Sequence, residues 1–155
     1  TGLYNRRHFF EAGGELLGRC RREGGNLACV MLDIDFFKKI NDTYGHDVGD
    51  VVIKGLAKLL RDSAAPGDIV ARIGGEEFCL LVPGLSGREL LLRLERLRGD
   101  IAATPMAPSA GAAPLHVTVS IGACLETGAS LDAMLKTADE CLYTAKNSGR
   151  NRVVS

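Results

Sequence analysis

Two adjacent carboxylates, Glu76 and Glu77, follow a glycine pair in the stretch RIGGEEFCLLV (72–82). Upstream, the near-continuous apolar run LACVML (27–32) ends in Asp33-Ile34-Asp35. Carboxylates brought close together repel unless a cation lies between them. Magnesium suits that position, because it is hard, seeks oxygen, and is commonly held by one or two carboxylates together with substrate phosphates. Gly74 and Gly75 can take positive φ and let a phosphate or a backbone come close. A plainer account stands beside this one, since acidic residues at a strand end and at a hairpin tip are also ordinary solvated choices.

Other polar clusters carry the same ambiguity. The loop NDTYGHDVGD (41–50) holds Asn41, Asp42, Asp47 and Asp50, which turn chemistry and helix capping would explain. Lys146 and Arg150 stand four apart across the close of a helix. They can interact with the helix C-terminus, or they can clamp phosphate oxygens. His8 and His116 have no evident partner, and Arg19, Arg21 and Arg22 read as a solvated basic face.

These residues need elements to position them. Residues 5–23 have helical spacing, weakened by Gly13 and Gly14 and ended by Gly24-Gly25-Asn26. The run 27–33 reads as a strand buried on both faces. Residues 36–46 read as a short helical turn and loop, followed by a helix over 47–64 with Asp47 as its N-cap. DIVARI (68–73) and EFCLLVP (77–83) form a hairpin around the glycine pair. A leucine-rich helix covers 86–104, a small-residue loop with three prolines covers 104–114, and a strand covers 115–126. A helix over 131–149, closed by Gly149, and a short strand NRVVS complete the order. Inside it lies strand-helix-strand-strand-helix-strand. The expected fold is therefore α+β and palm-like. A mostly antiparallel central sheet has a ferredoxin-like βαββαβ core, helices pack around it, and the hairpin carries the acidic turn. That arrangement hosts many functions and decides none alone.

A chain of 155 residues with 46% hydrophobic content is enough for one domain with a proper core. Nineteen basic and nineteen acidic residues give a formal net charge of +0, so there is no electrostatic case for nucleic acid or an anionic membrane surface. The five cysteines are scattered, mostly in apolar runs and without a C-x-x-C pair, as in a reduced cytosolic protein. No run approaches the ~20 apolar residues of a membrane span. The sequence opens on TGLYNRRHFF without a methionine and reads as a single domain, 1–155, cut from a longer regulated protein.

Taken together, TGLYNRRHF (1–9), DIDFFKKINDTYGHDVGD (33–50), RIGGEEF (72–78), VTVSIGA (117–123) and YTAKNSGRN (143–151) resemble, in order, the GGDEF domain of diguanylate cyclases in its GGEEF variant. The resemblance spans essentially the whole chain. It implies condensation of two GTP molecules to cyclic di-GMP with release of two pyrophosphates, across a homodimer, each copy holding one GTP. It implies two magnesium ions, with manganese able to substitute. Asp33 and Glu76 match the metal carboxylates and Ile34 a carbonyl ligand. Glu77 matches an acidic position near the reacting hydroxyl. Asn41 and Asp50 match the guanine contacts, Lys146 and Arg150 the phosphate contacts, and the backbone of Phe36, Phe37 and Lys38 the phosphate cradle. It also implies an N-terminal sensory or receiver domain in the full protein, a cytoplasmic location even if that protein is anchored, and no nucleic-acid or direct membrane contact. One departure stands out: the product-inhibition motif Arg-x-x-Asp reads APGD (65–68), with Ala65 at the arginine position. The rival readings are an inactive GGDEF module that binds GTP or a partner, and a different palm enzyme using the same acidic pair.

Overall fold

In the computed structural model, which describes residues 1–106, 111, 113–126 and 128–155, the run expected to be buried on both faces is strand β1 (Leu27–Ile34), covered along its whole length. It is the middle strand of a five-stranded sheet made with β2 (Ile69–Arg72), β3 (Glu77–Pro83), β4 (Val119–Leu125) and β5 (Val153–Val154), in the order β2-β3-β1-β4-β5. All pairings are antiparallel except β4 with β5. Among the described residues five helices accompany the strands: α1 (Arg6–Glu23), α2 (Phe37–Tyr44), α3 (His46–Ser63), α4 (Gly87–Ala103) and α5 (Leu131–Asn147). The strand-helix-strand-strand-helix-strand core is present as expected.

Strand periodicity divides the core in two. Ala28, Val30, Leu32 and Ile34 pack with Leu56 and Leu60 of α3 and Leu90 and Leu94 of α4. Leu27, Cys29 and Met31 pack with Phe9 and Leu16 of α1 and Met134, Ala138 and Leu142 of α5. By the same alternation Asp33 and Asp35 fall on the α1/α5 side. Four of the cysteines are buried thiols and Cys141 is half-buried, in keeping with their apolar surroundings.

Helix ends follow local chemistry. Asn5 caps α1 through the amide of His8, and Gly24 closes it in the left-handed conformation (φ 70°). Ser86 and Glu89 form a reciprocal capping box on α4. Three boundaries differ from expectation. The segment after β1 is a full helix, α2, and it abuts α3 across Gly45 alone (φ 91°). Asp47 is therefore not the N-cap of α3 but lies inside its first turn, where a carboxylate still favours the helix dipole. Strand β4 starts at Val119, four residues later than expected, because β1 ends opposite it and Leu115 pairs instead with Met106. Part of the loop 104–114 lies outside the described residues.

Gly122 shows why α5 can lie so close to the sheet. A Cβ there would come within 2.2 Å of the Ala138 carbonyl oxygen and of the Leu142 nitrogen, both backbone atoms that cannot swing aside. Gly122→Ala is expected to lower the unfolding free energy by about 3 kcal/mol, the upper range for overpacking. Urea denaturation measures it; an unchanged midpoint would mean that α5 shifts freely on the sheet.

Candidate active site

The acidic residues meet at one edge of the sheet. Antiparallel register sets Asp33 of β1 directly opposite Glu77 of β3, and Glu76 closes the turn just before it. The turn is held from inside. The amides of Ile73 and Gly74 both donate to the Glu77 carbonyl, at 3.0 and 3.3 Å. The Arg72 guanidinium donates to the carbonyls of Gly74 (3.2 Å) and Gly75 (2.7 Å). Neither glycine uses its freedom to take positive φ. What they supply is space: a Cβ on Gly74 would sit 2.9 Å from Glu77 Oε2, and one on Gly75 would meet nothing within 4 Å, leaving that side of the turn open.

Asp33 is only 2% exposed. Its Oδ2 accepts a hydrogen bond from the Lys146 ammonium near the end of α5, while its Oδ1 is buried and has no hydrogen-bond partner. Burial pushes its pKa from 3.8 up to about 6 against the opposing pull of Lys146, with Glu76 and Asp35 adding to the upward push. Because the folded chain holds this proton more tightly than the unfolded one, Asp33 detracts from stability increasingly as pH rises from 3.8 through about 6. Glu77 is raised as well, first by burial and then by Asp33 and Asp139, while Lys146 and Arg6 pull the other way.

A divalent cation fits this donor set. Among the described residues no three His, Cys, Asp or Glu side chains converge, so a cage made of protein alone is absent. Magnesium needs only one or two carboxylates plus substrate oxygens. The orphaned Asp33 Oδ1 is an acceptor that a hard cation would satisfy. Ile34 follows Asp33 at the end of β1, and Glu76 is close enough for its charge to raise the Asp33 pKa.

The polar loop forms a second corner. The Asn41 carbonyl accepts from the Gly45 amide at 2.8 Å, and the Gly45 carbonyl accepts from Gly49 at 3.2 Å. This turns α3 back so that Asn41 lies against Gly49. A Cβ on Gly49 would fall 1.9 Å from Asn41 Oδ1, which is itself buried without a partner. Asp50 follows on α3 and is exposed.

The cationic residues come from the other end of the chain. Arg150 lies with its guanidinium 4.4 Å above the ring centroid of Phe36, an exposed phenylalanine with left-handed backbone (φ 56°) at the N-cap of α2. No side chain caps that helix, so its first-turn amides, at Phe37 and Lys38, lack intrahelical acceptors. Lys38 is exposed. Lys146 and Arg150 thus reach β1 and the start of α2 respectively.

Sequence reading gave Asp35 no role and named Phe36 for its backbone alone. Asp35 is buried and fully hydrogen bonded, and Phe36 contributes its ring as well as its backbone. The one available signal for Asp35 was its spacing two residues from Asp33, which puts both on one face of the strand. At the stretch 65–68, Asp68 Oδ2 accepts from the Ala65 amide at 2.8 Å and pairs with the Arg93 guanidinium.

Residues 1–152 match the family model described as "Diguanylate cyclase, GGDEF domain". The chain is 42% identical over 156 residues to the response regulator PleD of Caulobacter vibrioides, covering 99% of this chain and 34% of PleD. It is 43% identical over 157 residues to the diguanylate cyclase DgcP of Pseudomonas aeruginosa, covering 99% of this chain and 23% of DgcP. The chain thus spans a third or less of the length of these curated relatives. Among solved structures, the GGDEF domain of DgcB from Caulobacter crescentus, in complex with c-di-GMP, superposes with a TM-score of 0.93 at 33% identity, covering 99% of this chain and 91% of that one.

Proposed function

The chain belongs to the GGDEF domain family of diguanylate cyclases, and from that premise we propose that it condenses two GTP molecules into cyclic di-GMP, releasing two pyrophosphates. The observation that carries the reading is Asp33: a buried carboxylate with one oxygen on Lys146 and the other without a partner, opposite Glu77 at the acidic turn.

Asp33, Glu76 and the Ile34 carbonyl would hold divalent cations, two magnesium ions by their ligand chemistry, with manganese able to substitute. When bound, such ions polarise the α-phosphate and ease loss of the hydroxyl proton. Lys146 and Arg150, with the first-turn amides after Phe36, at Phe37 and Lys38, hold the triphosphate. Asn41 and Asp50 read the guanine edge. Glu77, whose pKa is raised chiefly by burial, takes the proton of the 3′-hydroxyl. The 3′-oxygen bonds to the α-phosphorus of the other GTP, the bond to the bridging oxygen breaks, and pyrophosphate leaves with that electron pair.

Each domain offers one base corner and one phosphate corner, so two bonds in a two-fold product call for a second copy of the chain facing it. An N-terminal sensory or receiver domain would raise the effective concentration of that pairing. The domain itself, proposed as a single unit over 1–155, would act in the cytoplasm; no helix among the described residues is long and apolar enough to cross a membrane.

Two expected outcomes arise from the site. Gly49→Ala should favour α3 by about 1 kcal/mol through helix propensity while displacing the Asn41 amide. The Michaelis constant for GTP should therefore rise with no loss of thermal stability, as steady-state kinetics and a melting curve together show. Product inhibition through the segment 65–68 should be weak. Asp68 is engaged by Arg93 and the Ala65 amide, and alanine cannot fork onto a phosphate or guanine. A tight cyclic di-GMP inhibition constant that shifts on Asp68→Ala would contradict this.

The experiment that tests the function is product analysis after incubation with GTP and magnesium. Cyclic di-GMP supports the reading. GTP binding without product, even from domains held together as dimers, would leave the chain a nucleotide-binding module.

A further inference from the structure

We propose that Asp35 is a clasp for the phosphate-binding end of the chain: through the Asn151 amide it fixes Arg150 above Phe36 and so sets where that guanidinium meets the triphosphate. The inference rests on the cyclase reading in one respect, that Arg150 is a phosphate ligand.

Asp35 sits just past the end of β1 and is 4% exposed. Both of its oxygens are engaged. Oδ1 accepts from Ser120 Oγ at 2.6 Å. Oδ2 accepts from Thr118 Oγ1 at 2.7 Å and from the backbone amide of Asn151 at 3.0 Å. Ser120 belongs to β4 and Thr118 directly precedes it, so the carboxylate is anchored to the rigid middle of the sheet. Its remaining bond reaches 116 residues along the chain to the segment that follows α5.

That segment does not rest in an easy conformation. Gly149, Arg150 and Asn151 have φ of 122°, 62° and 45° in succession. Left-handed backbone is unfavourable for a residue such as arginine, so something must hold it. The Arg150 amide donates to the Ala145 carbonyl at 3.0 Å, the longer bond of a Schellman ending. The Asn151 amide goes to Asp35, and the Asn151 side-chain oxygen accepts from Arg98 Nη1 of α4 at 2.8 Å. With both sides of Arg150 pinned, its guanidinium lies 4.4 Å over the Phe36 ring. Among the described residues the non-glycine positions with positive φ are Phe36, Arg150 and Asn151. All three lie in this one constellation, as strain does where a site is over-determined by its surroundings.

Asp33 and Asp35 therefore divide the labour along one strand face. Asp33 receives Lys146 and Asp35 receives Asn151, so alternate carboxylates of β1 and its extension grip both sides of the α5 terminus. Asp35 is a positioning residue: it touches no substrate and acts through Arg150.

The test uses 3′-deoxy-GTP, which lacks the reacting hydroxyl, with guanosine as the phosphate-free control. Affinities are measured by calorimetry in the presence of magnesium. Asp35→Ala should weaken 3′-deoxy-GTP about tenfold, the loss expected from a misplaced charge-assisted contact, and leave guanosine unchanged. Asp35→Asn keeps an acceptor for the Asn151 amide, while the Ser120 hydroxyl can turn to accept from the new amide. It should restore binding to within about twofold of the original. In an Arg150→Ala background, Asp35→Ala should add nothing, because both changes remove one interaction. Amide exchange reads the clasp without any nucleotide: Asn151 should be protected in the unaltered chain and lose protection in Asp35→Ala, with the β1 and β4 amides unchanged. Should Asp35→Ala fail to fold, Ser120→Ala releases one carboxylate oxygen and should give the same split at smaller size.

Equal weakening of guanosine and 3′-deoxy-GTP, additive losses with Arg150→Ala, or Asp35→Asn as weak as Asp35→Ala would overturn the clasp. So would an Asn151 amide that exchanges freely in the unaltered chain, or loss of protection across the whole sheet. An Arg150→Ala change without effect on 3′-deoxy-GTP would instead remove Arg150 from the proposed phosphate site, and the exchange result would still decide whether Asp35 holds the segment.

Discussion

Glu76→Ala should reduce cyclic di-GMP formation by at least about 10³-fold, the scale expected when preorganised charge stabilisation is lost from a phosphoryl-transfer site. The reason lies in the charge balance at the sheet edge. Asp33 is buried with one oxygen orphaned and its pKa is raised to about 6, burial being the main cause and Glu76 contributing. A cation placed against Asp33 and Glu76 relieves both the burial and the repulsion. With Glu76 absent, Asp33 is the one carboxylate left beside the Ile34 carbonyl to hold it, and Lys146 competes for that carboxylate. The loss should appear in turnover, while binding of guanosine, which the proposal assigns to the separate Asn41 and Asp50 corner, stays within about twofold, as expected for a site that shares no partner with the change. Initial rates of pyrophosphate release measure the first quantity and calorimetry the second. Full turnover by Glu76→Ala would remove that residue from the reaction.

The base corner should discriminate just as strongly. Guanine presents its N1–H and N2–H₂ donors side by side, and a carboxylate accepts from both. Asp50 would offer that acceptor from an exposed position on α3. Asn41, seated against Gly49 with a buried oxygen that has no partner among the described residues, would complete the edge. Adenine has an acceptor at N1, which would face the carboxylate without a proton between them. Rejection of ATP should therefore reach on the order of 10⁴-fold in kcat/KM, as for sites built to hydrogen-bond a group that the wrong substrate lacks. Parallel rates with GTP and ATP check it. Comparable use of both would dismiss the Asn41 and Asp50 assignment, and Asp50→Ala should narrow the gap chiefly by lowering the GTP rate.

Much of this could be read from the chain. The apolar run 27–32 could only be a strand covered on both faces, and it became the centre of the sheet. Its ending in Asp33, with a glycine turn carrying Glu76 and Glu77 elsewhere, gave the acidic edge, because neighbouring antiparallel strands bring an end and a turn together. What could not be read depended on distant partners or on backbone angles. Asp35 looked like one more acid at a strand end, yet its donors lie 83, 85 and 116 residues away. Gly74 and Gly75 could have been left-handed turn residues, but neither has positive φ; Gly74 leaves room for the Glu77 side chain and Gly75 faces open space. Asp47 had the composition of an N-cap, but α2 continues to Tyr44 and leaves Gly45 to begin the next helix. Gly122 seemed an unremarkable member of a strand until α5 was laid across it.

The measurement that bears most directly on the account is chromatography of the nucleotides after incubation with GTP and magnesium over a range of protein concentrations. Cyclic di-GMP whose yield per molecule rises steeply with concentration, and which disappears with Glu76→Ala, is the predicted result. Product formed at a constant rate per molecule on dilution would contradict two facing copies. Cyclic GMP as the sole product would contradict the condensation itself.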